Sequence, residues 1–386
     1  MVNQQQLQQL RQASKSWNTW REQHPGMLIS LTGADLIEAN LAGANLSNAI
    51  LLGARLTRAK LSHANLSGAD LGSTYLMETN LTRANLSGAI LTNAHLNDAR
   101  LNDASLAHAT LGETDLSRAN LTGANLERAI LANANLFGAD FSYANLTGAN
   151  LTGANLIETD LSYANLTGAD LSYATVGWTI LGDVDLRTVK GLETVQHLGP
   201  STIGTDTIAR SRGQVPKQFL REAGIYDLLT DSVQSLAQSS KEYFTHLINF
   251  SRADVQFANR LFADLQSKNI YCWSSPEDEQ AKWQPGSFNE IMRRYDRLLL
   301  VFSADTLASS WIEAAVHAAL IRERQTNQAV LFPLCLDTAL NRSMAYWSVS
   351  LCQTRQISDF TGWEQKKQHY QRGLQQLLRA LYPETH

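Results

Sequence analysis

Cysteine is scarce in this sequence, with three residues among 386. Cys272, Cys335 and Cys352 are odd in number, lie in the last third of the chain and lack the close spacing of a metal site. A disulfide framework and a zinc site are therefore excluded as organising features. Because reduced thiols are typical of the cytosol, we expect a cytoplasmic protein that holds no metal.

The sequence also lacks segments that would export it or hold it in a membrane. Residues 1–6 have neither the basic nor the apolar region of a signal peptide, and no stretch approaches about 18 consecutive apolar residues. A positive balance is missing too, since 32 Lys and Arg stand against 36 Asp and Glu, a formal net charge of −4. We therefore expect no export, no membrane partner and no nucleic-acid partner.

A five-residue period dominates the first half of the chain. From position 31 to position 186 every fifth residue is Leu, except Phe141 and Val176, which gives 32 successive positions. Two residues before most of them lies Ala or another small residue, such as Thr74. Within each unit a small, a polar and a large residue follow one another, which is the pattern of a short strand whose first and third side chains point inward. The other two residues, often Ser/Thr-Gly, turn a corner. Stacked coils of this kind bury a Leu column beside an Ala column.

Units such as Ala-Asn-Leu-Thr-Gly at 144–148 and Ala-Asp-Leu-Ser-Tyr at 169–173 resemble the pentapeptide-repeat family. The period alone does not distinguish a three-sided coil from a four-sided one. The resemblance implies a β-solenoid over residues 29–188, a right-handed quadrilateral β-helix with four pentapeptides per coil. Its eight coils would form a rod of about 40 Å at a strand spacing of ~4.8 Å.

Two roles for such a rod differ in the charge they need. Some members of the family mimic duplex DNA with strongly acidic faces. Residues 29–188 carry 15 acidic and 8 basic side chains, a net charge of −7, which is mild for that role. We therefore favour a rigid spacer or interaction platform over a DNA mimic.

Both ends of the repeat are predicted to carry caps, because a solenoid exposes open backbone edges. Within residues 1–28, an apolar stripe at helical spacing predicts a capping helix over 5–22 rather than a binding element. The stripe consists of Leu7, Leu10, Trp17 and Trp20. Between 189 and 240 the period stops and 216–236 has a helical pattern, which predicts a second cap and a linker.

Residues 241–386 alternate apolar runs with amphipathic segments, the pattern of a parallel sheet flanked by helices. The predicted strands are 245–250, 269–273, 297–303 and 329–335, and the predicted helices are 254–267, 286–296, 308–324 and 363–382. Ligands of such sheets bind beyond the carboxyl ends of the strands. The segment has no Gly-rich phosphate loop, nucleophile elbow or His/Cys metal set, so the common α/β enzyme signatures are missing.

The order and spacing of several short motifs in this segment resemble a bacterial-type Toll/interleukin-1 receptor (TIR) domain. The motifs are 247–254 ahead of a helix, Cys272-Trp273 followed by Pro276, 298–303, Ser309-Ser310-Trp311, 331–333 and 359–363. The resemblance implies an α/β fold with a central parallel sheet, flavodoxin-like. It also implies one of two functions. One is an NAD⁺ glycohydrolase, active when domains assemble; the other is a non-catalytic adaptor that recruits other TIR proteins.

The resemblance places the catalytic Glu four residues after the Trp, and that position is Ala315. Three explanations stay open: a natural non-catalytic member, a deliberate replacement of Glu, or substitution by Glu313 or His317. Residues two apart on a helix do not share a face, which argues against the third. The other two are not separable from the sequence.

Further site residues follow from the same resemblance. Phe250, Ser251 and Trp311 correspond to positions that line the nucleotide cleft, where an aromatic face can stack on a base, and ordinary core positions are the alternative for the two aromatic residues. The loop 274–286 corresponds to the segment that borders the cleft and contacts the next domain, but it is shorter than usual and lacks the common Gly-Asp pair. Its candidate residues are Pro276, Asp278, Trp283, Pro285 and Gly286.

Together these patterns predict a cytoplasmic TIR protein carried by a β-helix. NAD⁺ is expected as substrate, with no separate cofactor, and self-association through the TIR domain and the β-helix is expected. Bacterial TIR proteins often serve antiviral defence, so the resemblance also implies a role in immune signalling.

Overall fold

The computed structural model describes residues 3–225, 246–268, 270, 272–274, 295–326 and 328–382. The chain divides into two compact units, Met1–Tyr243 and Phe244–His386. Most of the predicted helix 286–296 lies outside the described residues. Among the described helices, none combines the length and the apolar character that a bilayer crossing requires.

Backbone pairing in the first unit shows four pentapeptides per coil. From Ser30 to Asp160, parallel bridges join the residue before a core position to the residue twenty positions later, as in Ser30↔Ile50 and Asp35↔Arg55. Every core position from Leu31 to Leu186 is at most 2% exposed. The four-sided β-helix implied by the repeat motif is therefore confirmed.

The corners of the coils adopt a conformation that most side chains avoid. The second residue after a core position has a positive φ both at glycines, such as Gly53 (64°), and at larger residues, such as Glu78 (56°) and Arg118 (56°). This conformation costs an L-residue about 1–2 kcal/mol. Burial of one Leu contributes about 1.5–3 kcal/mol, so each unit offsets its own corner.

Threonines in the small column keep their hydroxyls paired inside the core. Thr114 Oγ1 donates to the carbonyl of Leu91 at 2.8 Å, and Thr159 Oγ1 donates to that of Leu136 at 2.8 Å. A buried hydroxyl without such a bond would destabilise the fold by about 1–3 kcal/mol. Thr is therefore tolerated where Ala is the rule.

Two helices, rather than the single helix predicted over 5–22, cover the first coil. They are α1 (Gln4–Leu10) and α2 (Ser14–Gln23). Gln6 pairs with the open edge, donating to the carbonyl of Leu28 at 2.9 Å and accepting from the Ser30 amide at 2.9 Å. Asn18 does the same at Gly43 (2.9 Å) and Asn45 (2.7 Å). The break at 11–13 lets both amide side chains reach the edge.

Coil stacking continues beyond residue 188, where the period was predicted to end. β1 (Thr175–Val176) pairs with β3 (Gln196–His197), and β2 (Ile180–Leu181) pairs with β4 (Thr202–Ile203), both in parallel. A short 3-10 turn, Leu192–Thr194, lengthens this last coil. The sequence period is lost while the architecture persists.

The second cap consists of α3 (Thr205–Arg210) and α4 (Lys217–Glu222). Thr207 Oγ1 donates to the carbonyl of Leu181 at 2.6 Å and accepts from the Val184 amide at 3.2 Å. Arg210 forms an ion pair with Asp183 at 2.5 Å. The rest of the predicted helix 216–236 falls largely outside the described residues.

The second unit is a parallel sheet of five strands within the described residues, in the order β6-β5-β7-β8-β9. The strands are β5 His246–Asn249, β6 Cys272–Ser274, β7 Arg297–Phe302, β8 Leu331–Cys335 and β9 Ser358–Asp359. The helices are α5 Val255–Gln266, α6 Ala304–Leu307, α7 Ile312–Thr326, α8 Ala339–Arg342, α9 Tyr346–Thr354 and α10 Lys367–Leu381. This strand order is that of flavodoxin, as expected.

Each face of the sheet has its own apolar core. Ile248 and Phe250 pack with α5 and α10 on one face, whereas Leu247 and Leu300 pack with α7 on the other. Successive strand residues point to opposite faces, which explains the alternation. The side of the sheet on which a residue lies therefore decides which helix it can approach.

Candidate functional site at the carboxyl edge of the sheet

The carboxyl ends of β5 and β7 form the switch point of the sheet. β5 pairs with β6 on one side and with β7 on the other, so the chain reverses its direction of winding between them. Ligands of open α/β sheets bind at such a point. Ser251 follows β5 and Ser303 follows β7.

A carboxylate with three hydroxyl partners lies at this switch point. Asp254 Oδ2 accepts hydrogen bonds from Ser251 Oγ (2.6 Å), Ser303 Oγ (2.7 Å) and Thr306 Oγ1 (3.1 Å). Ser303 also caps α6, since its Oγ accepts from the Thr306 amide at 3.2 Å. The three hydroxyl residues are buried and Asp254 is half-buried. The loops after β5 and β7 are thereby fixed to each other.

Asn249, the last residue of β5, is the unsatisfied group of this edge. Its side chain is 0% exposed, and neither Oδ1 nor Nδ2 has a hydrogen-bond partner among the described residues. Asn249 pairs in register with Leu300 and therefore faces the α7 side of the sheet. An unpaired buried amide costs about 1–3 kcal/mol, so it needs a reason to be there.

Ala315 lies on that same side. It is 0% exposed in the cluster that contains Leu247 and Leu300, and its amide donates to the carbonyl of Trp311 at 3.0 Å in the first turn of α7. Glu313 and His317 are exposed on the opposite side of the helix. The geometry agrees with the argument that neither replaces a carboxylate at 315.

The other predicted cleft residues are divided between the two faces. Trp311 is half-buried and packs against the cluster of Ala315. Phe250 is 2% exposed in the opposite core, where it fills a core position, the alternative left open for it. Ser251 belongs to the Asp254 cluster. The structure therefore groups Trp311 with Ala315 and Ser251 with Asp254, but it separates Phe250 from Ala315.

The thiols of the sheet are poor nucleophiles. Burial raises the pKa of Cys272 to about 12, and burial is also the main cause that raises the pKa of Cys335 to about 12. Both remain protonated at neutral pH, and the thiolate is the reactive form. Within the described residues, no group of three or more His, Cys, Asp or Glu could hold a metal ion. The loop residues Pro276, Asp278, Trp283, Pro285 and Gly286 lie outside the described residues.

Known families match both units. The family model for pentapeptide repeats matches eight copies between residues 29 and 187, and the TIR domain model matches residues 247–378. The repeat is similar to HetL, a pentapeptide repeat protein involved in heterocyst differentiation regulation from the cyanobacterium Nostoc sp. strain PCC 7120. The identity is 32%, over 48% of this chain and 92% of HetL, with a TM-score of 0.33. The chain is a pentapeptide-repeat protein with a TIR domain.

Other solved structures match parts of the repeat. Rfr23, a pentapeptide repeat protein from the cyanobacterium Cyanothece 51142, is 34% identical over 29% of this chain and 63% of its own, with a TM-score of 0.19. A trypsin-treated form of QnrB1, a plasmid-mediated fluoroquinolone resistance protein, is 19% identical over 44% of this chain and 92% of its own, with a TM-score of 0.40. No curated protein matches the chain.

Sequence reasoning about the TIR domain missed four residues of this edge: Asn249, Asp254, Ser303 and Thr306. Their shared signal is a polar residue at the end of an apolar strand or within five residues after it. That signal becomes specific only when the strands are known to be neighbours, because parallel strands bring their carboxyl ends to one edge. Asp254 and Thr306 are 52 positions apart in the chain.

Proposed function

We propose that the TIR domain has the architecture of an NAD⁺ glycohydrolase, that the β-helix organises several such domains, and that the chain as written is inactive at position 315. The observation that carries the proposal is the pairing of two anomalies on one side of the sheet. Ala315, which corresponds to the family's Glu by resemblance, is a buried methyl group, and Asn249 buries an amide that has no partner among the described residues. A carboxylate at 315 would restore the acidic group of the family and would give the Asn249 amide a hydrogen-bond acceptor.

The chemistry explains why a carboxylate matters there. Cleavage of the nicotinamide–ribose bond leaves positive charge on the ribose, and water then adds to give ADP-ribose and a proton. A carboxylate near the ribose stabilises that charge and accepts a hydrogen bond from a ribose hydroxyl. A methyl group does neither, and loss of one such stabilising group costs about 10²–10³ in rate.

The wider role belongs to the same proposal. TIR resemblance of the bacterial type supports immune signalling in the cytoplasm, and the three free thiols, Cys272, Cys335 and Cys352, fit a reducing compartment. The stacked coils supply a rigid element on which several domains can gather. Association of the rods would raise the effective concentration of TIR domains.

A second function is favoured by the surroundings of Ala315. Its side chain is 0% exposed in an apolar cluster, a setting that suits packing as well as it suits a vacated catalytic position. The chain would then be an adaptor, whose TIR domain recruits another TIR protein without cleaving NAD⁺.

Chromatographic detection of nicotinamide distinguishes the two. NAD⁺ is incubated at high protein concentration with this chain, with Ala315→Glu and with Ala315→Gln, which matches the size of Glu without its charge. Release by Ala315→Glu alone supports the glycohydrolase. If none of the three releases nicotinamide although Ala315→Glu is folded and self-associated, the adaptor is supported. Release by the unaltered chain contradicts the catalytic assignment, and Asp254→Asn would then test another carboxylate of this edge.

A further inference from the structure

One face of the β-helix carries an apolar column on its outside, and we call it the isoleucine face. It comprises the bridge residues Ser30, Ile50, Asp70, Ile90, Thr110, Ile130, Asn150 and Asp170, with the residues two positions after each. Ile90 is 46% exposed, Ile130 43% and Leu52 44%. Leu and Ala columns already fill the interior, so these side chains add little to the core. Exposed aliphatic side chains aligned along one face are a candidate interaction surface.

Between residues 35 and 125 the bridge residues of the other three faces are polar or aromatic. Their columns run Asp35, Arg55, Tyr75, His95, Asp115; Asn40, Lys60, Asn80, Arg100, Asn120; and Asn45, Asn65, Asn85, Ser105, Asn125. Contacts along these columns support the stack, as where Arg55 pairs with Asp35 at 3.3 Å and Tyr75 stacks on His95 at 5.1 Å between ring centres. Exposed apolar residues also occur on these faces, at Ile37 and Ile180, but among the described bridge residues only the isoleucine face has aliphatic side chains on alternate coils.

Large and small residues alternate along the isoleucine face. Isoleucine recurs every second coil, about 9.6 Å apart at a coil spacing of ~4.8 Å. The coils between the isoleucines have smaller bridge residues, Asp70 and Thr110, each followed two positions later by glycine. A Cβ added at Gly112 would meet only the carbonyl of Ala132, at 3.7 Å, so the face is open there. A Cβ added at Gly72 would lie 3.0 Å from Leu52 Cδ1, so Leu52 covers that glycine. The face therefore has an open hollow between Ile90 and Ile130 and a partly covered one between Ile50 and Ile90.

This alternation fits a second copy of the same face running in the opposite direction. A two-fold axis between the coils of Ile90 and Thr110 sets every large residue opposite a small one. Ile90 then faces Thr110 of the second copy, Ile130 faces its Asp70, and Ile50 faces its Asn150. Isologous contacts repeat each of these pairs twice.

The charged residues of the isoleucine face also favour the antiparallel arrangement. Asp70 is half-buried, and its Oδ1 accepts from the Gly72 amide at 3.1 Å. Arg128 is exposed at the corner from which the chain reaches Ile130, on the flank nearer to the bridge residues. In the antiparallel pair, the same flank of each face lies on the same side of the interface. Arg128 of one copy therefore lies beside Asp70 of the other. A parallel pair would instead set Asp70 against Asp70.

We propose that the isoleucine face binds the isoleucine face of a second copy of this chain, antiparallel, with Asp70 and Arg128 forming two equivalent ion pairs between the copies. This pairing does not depend on the chemistry of the TIR domain. It is a surface of the β-helix with its own register and its own partner.

Sedimentation equilibrium of the full chain over a wide concentration range tests the pairing. We expect a reversible dimer, weakened at least about tenfold by Ile90→Arg. Ile180→Arg is the matched control, because Ile180 is a bridge residue on another face and is 37% exposed. Ile90→Thr, which copies the bridge residue at position 110, should also weaken the dimer and keeps a strand-forming side chain.

Charge exchange tests the register. Asp70→Arg and Arg128→Asp should each weaken the dimer, and the two together in one chain should restore it, because each copy then offers the reversed pair. A monomer at every concentration, or a dimer insensitive to Ile90→Arg, would overturn the proposal. Equal sensitivity to Ile180→Arg would overturn the choice of face, and failure of the double exchange to restore the dimer would overturn the antiparallel register.

Discussion

Replacement of Asn249 by Leu should stabilise the chain as it stands. Both polar atoms of Asn249 are buried without a partner in the part of the chain that the structure describes, and Leu has nearly the same shape. Removal of an unsatisfied buried group recovers about 1–3 kcal/mol of the free energy of unfolding. Most core substitutions destabilise, so a gain at a fully buried strand residue is an unusual expectation.

Asn249→Leu should destabilise the chain, rather than stabilise it, once position 315 carries a carboxylate. Ala315→Glu places a charge in an apolar cluster at 0% exposure, which costs several kcal/mol unless the charge is paired. Asn249 Nδ2 faces the same side of the sheet and can donate to it, and a hydrogen bond to a charged group contributes about 1.5–3 kcal/mol. In the Ala315→Glu background, Asn249→Leu removes that bond and destabilises. The coupling energy is the difference between the two effects, roughly 2.5–6 kcal/mol.

A double-mutant cycle measures this coupling. Urea unfolding of the four chains, followed by hydrogen exchange of the β5 and β7 amides, isolates the transition of the TIR domain from that of the β-helix. Ala319→Glu is the control, because Ala319 is equally buried one turn further along α7. It should show no coupling to Asn249. If Asn249→Leu changes stability by the same amount in both backgrounds, position 315 is not the missing partner of Asn249.

Three further predictions concern the β-helix. Glu78→Gly should raise the free energy of unfolding of the β-helix by up to about 1 kcal/mol, because Glu78 holds a φ of 56° at a corner. A lower unfolding midpoint would contradict the strain argument. Asn18→Ala should destabilise the first coil by about 1 kcal/mol and speed exchange of the Asn45 amide, its partner at 2.7 Å, while unchanged exchange would remove the capping role. Burial lowers the pKa of His197, so its neutral form favours the fold. That stability is complete above the unfolded pKa of about 6.5 and is lost as pH falls toward the lower folded pKa. Thermal unfolding between pH 7 and 5 should show this loss in the native chain and not in His197→Leu.

The regular part of the β-helix was predictable because its core repeats at a fixed spacing. The last coil was not. Thr175 pairs with Gln196 and Ile180 pairs with Thr202, so the step between paired strands grows from twenty residues to 21 and 22. A search for a five-residue period stops there, although hydrogen bonding between coils does not. Unequal loops hide a strand from periodicity without removing it from the fold.

The candidate site shows a different limit of sequence reasoning. Resemblance pointed to position 315 because the spacing from Trp311 is local. The Asp254 cluster is not local, because its partner Ser303 is 49 positions away. Phe250 was proposed as a cleft residue by resemblance, with an ordinary core position as the alternative, and the alternation of side chains along the strand turns it toward the core on the other face from Ala315. The face of a strand residue could be read only once the register of the sheet was known.

The dependence of nicotinamide release on protein concentration in the Ala315→Glu variant should show whether pairing of the β-helices controls activity. TIR resemblance implies that the chemistry needs assembled domains, and a dimer holds two domains at an effective concentration of up to about millimolar. Nicotinamide release per chain should therefore rise steeply near the dissociation constant of the dimer. Adding Ile90→Arg should move that rise to at least about tenfold higher protein concentration and leave the plateau unchanged, while adding Ile180→Arg should change neither.

The two proposals can fail separately in this experiment. A silent Ala315→Glu variant that still dimerises through the isoleucine face would end the catalytic proposal and keep the pairing. Release that does not depend on Ile90 would keep the catalysis and show that TIR domains assemble without the rod. A shift caused by Ile90→Arg alone would show that the β-helix sets the concentration at which the TIR domains act, because this substitution changes only an exposed side chain of the repeat.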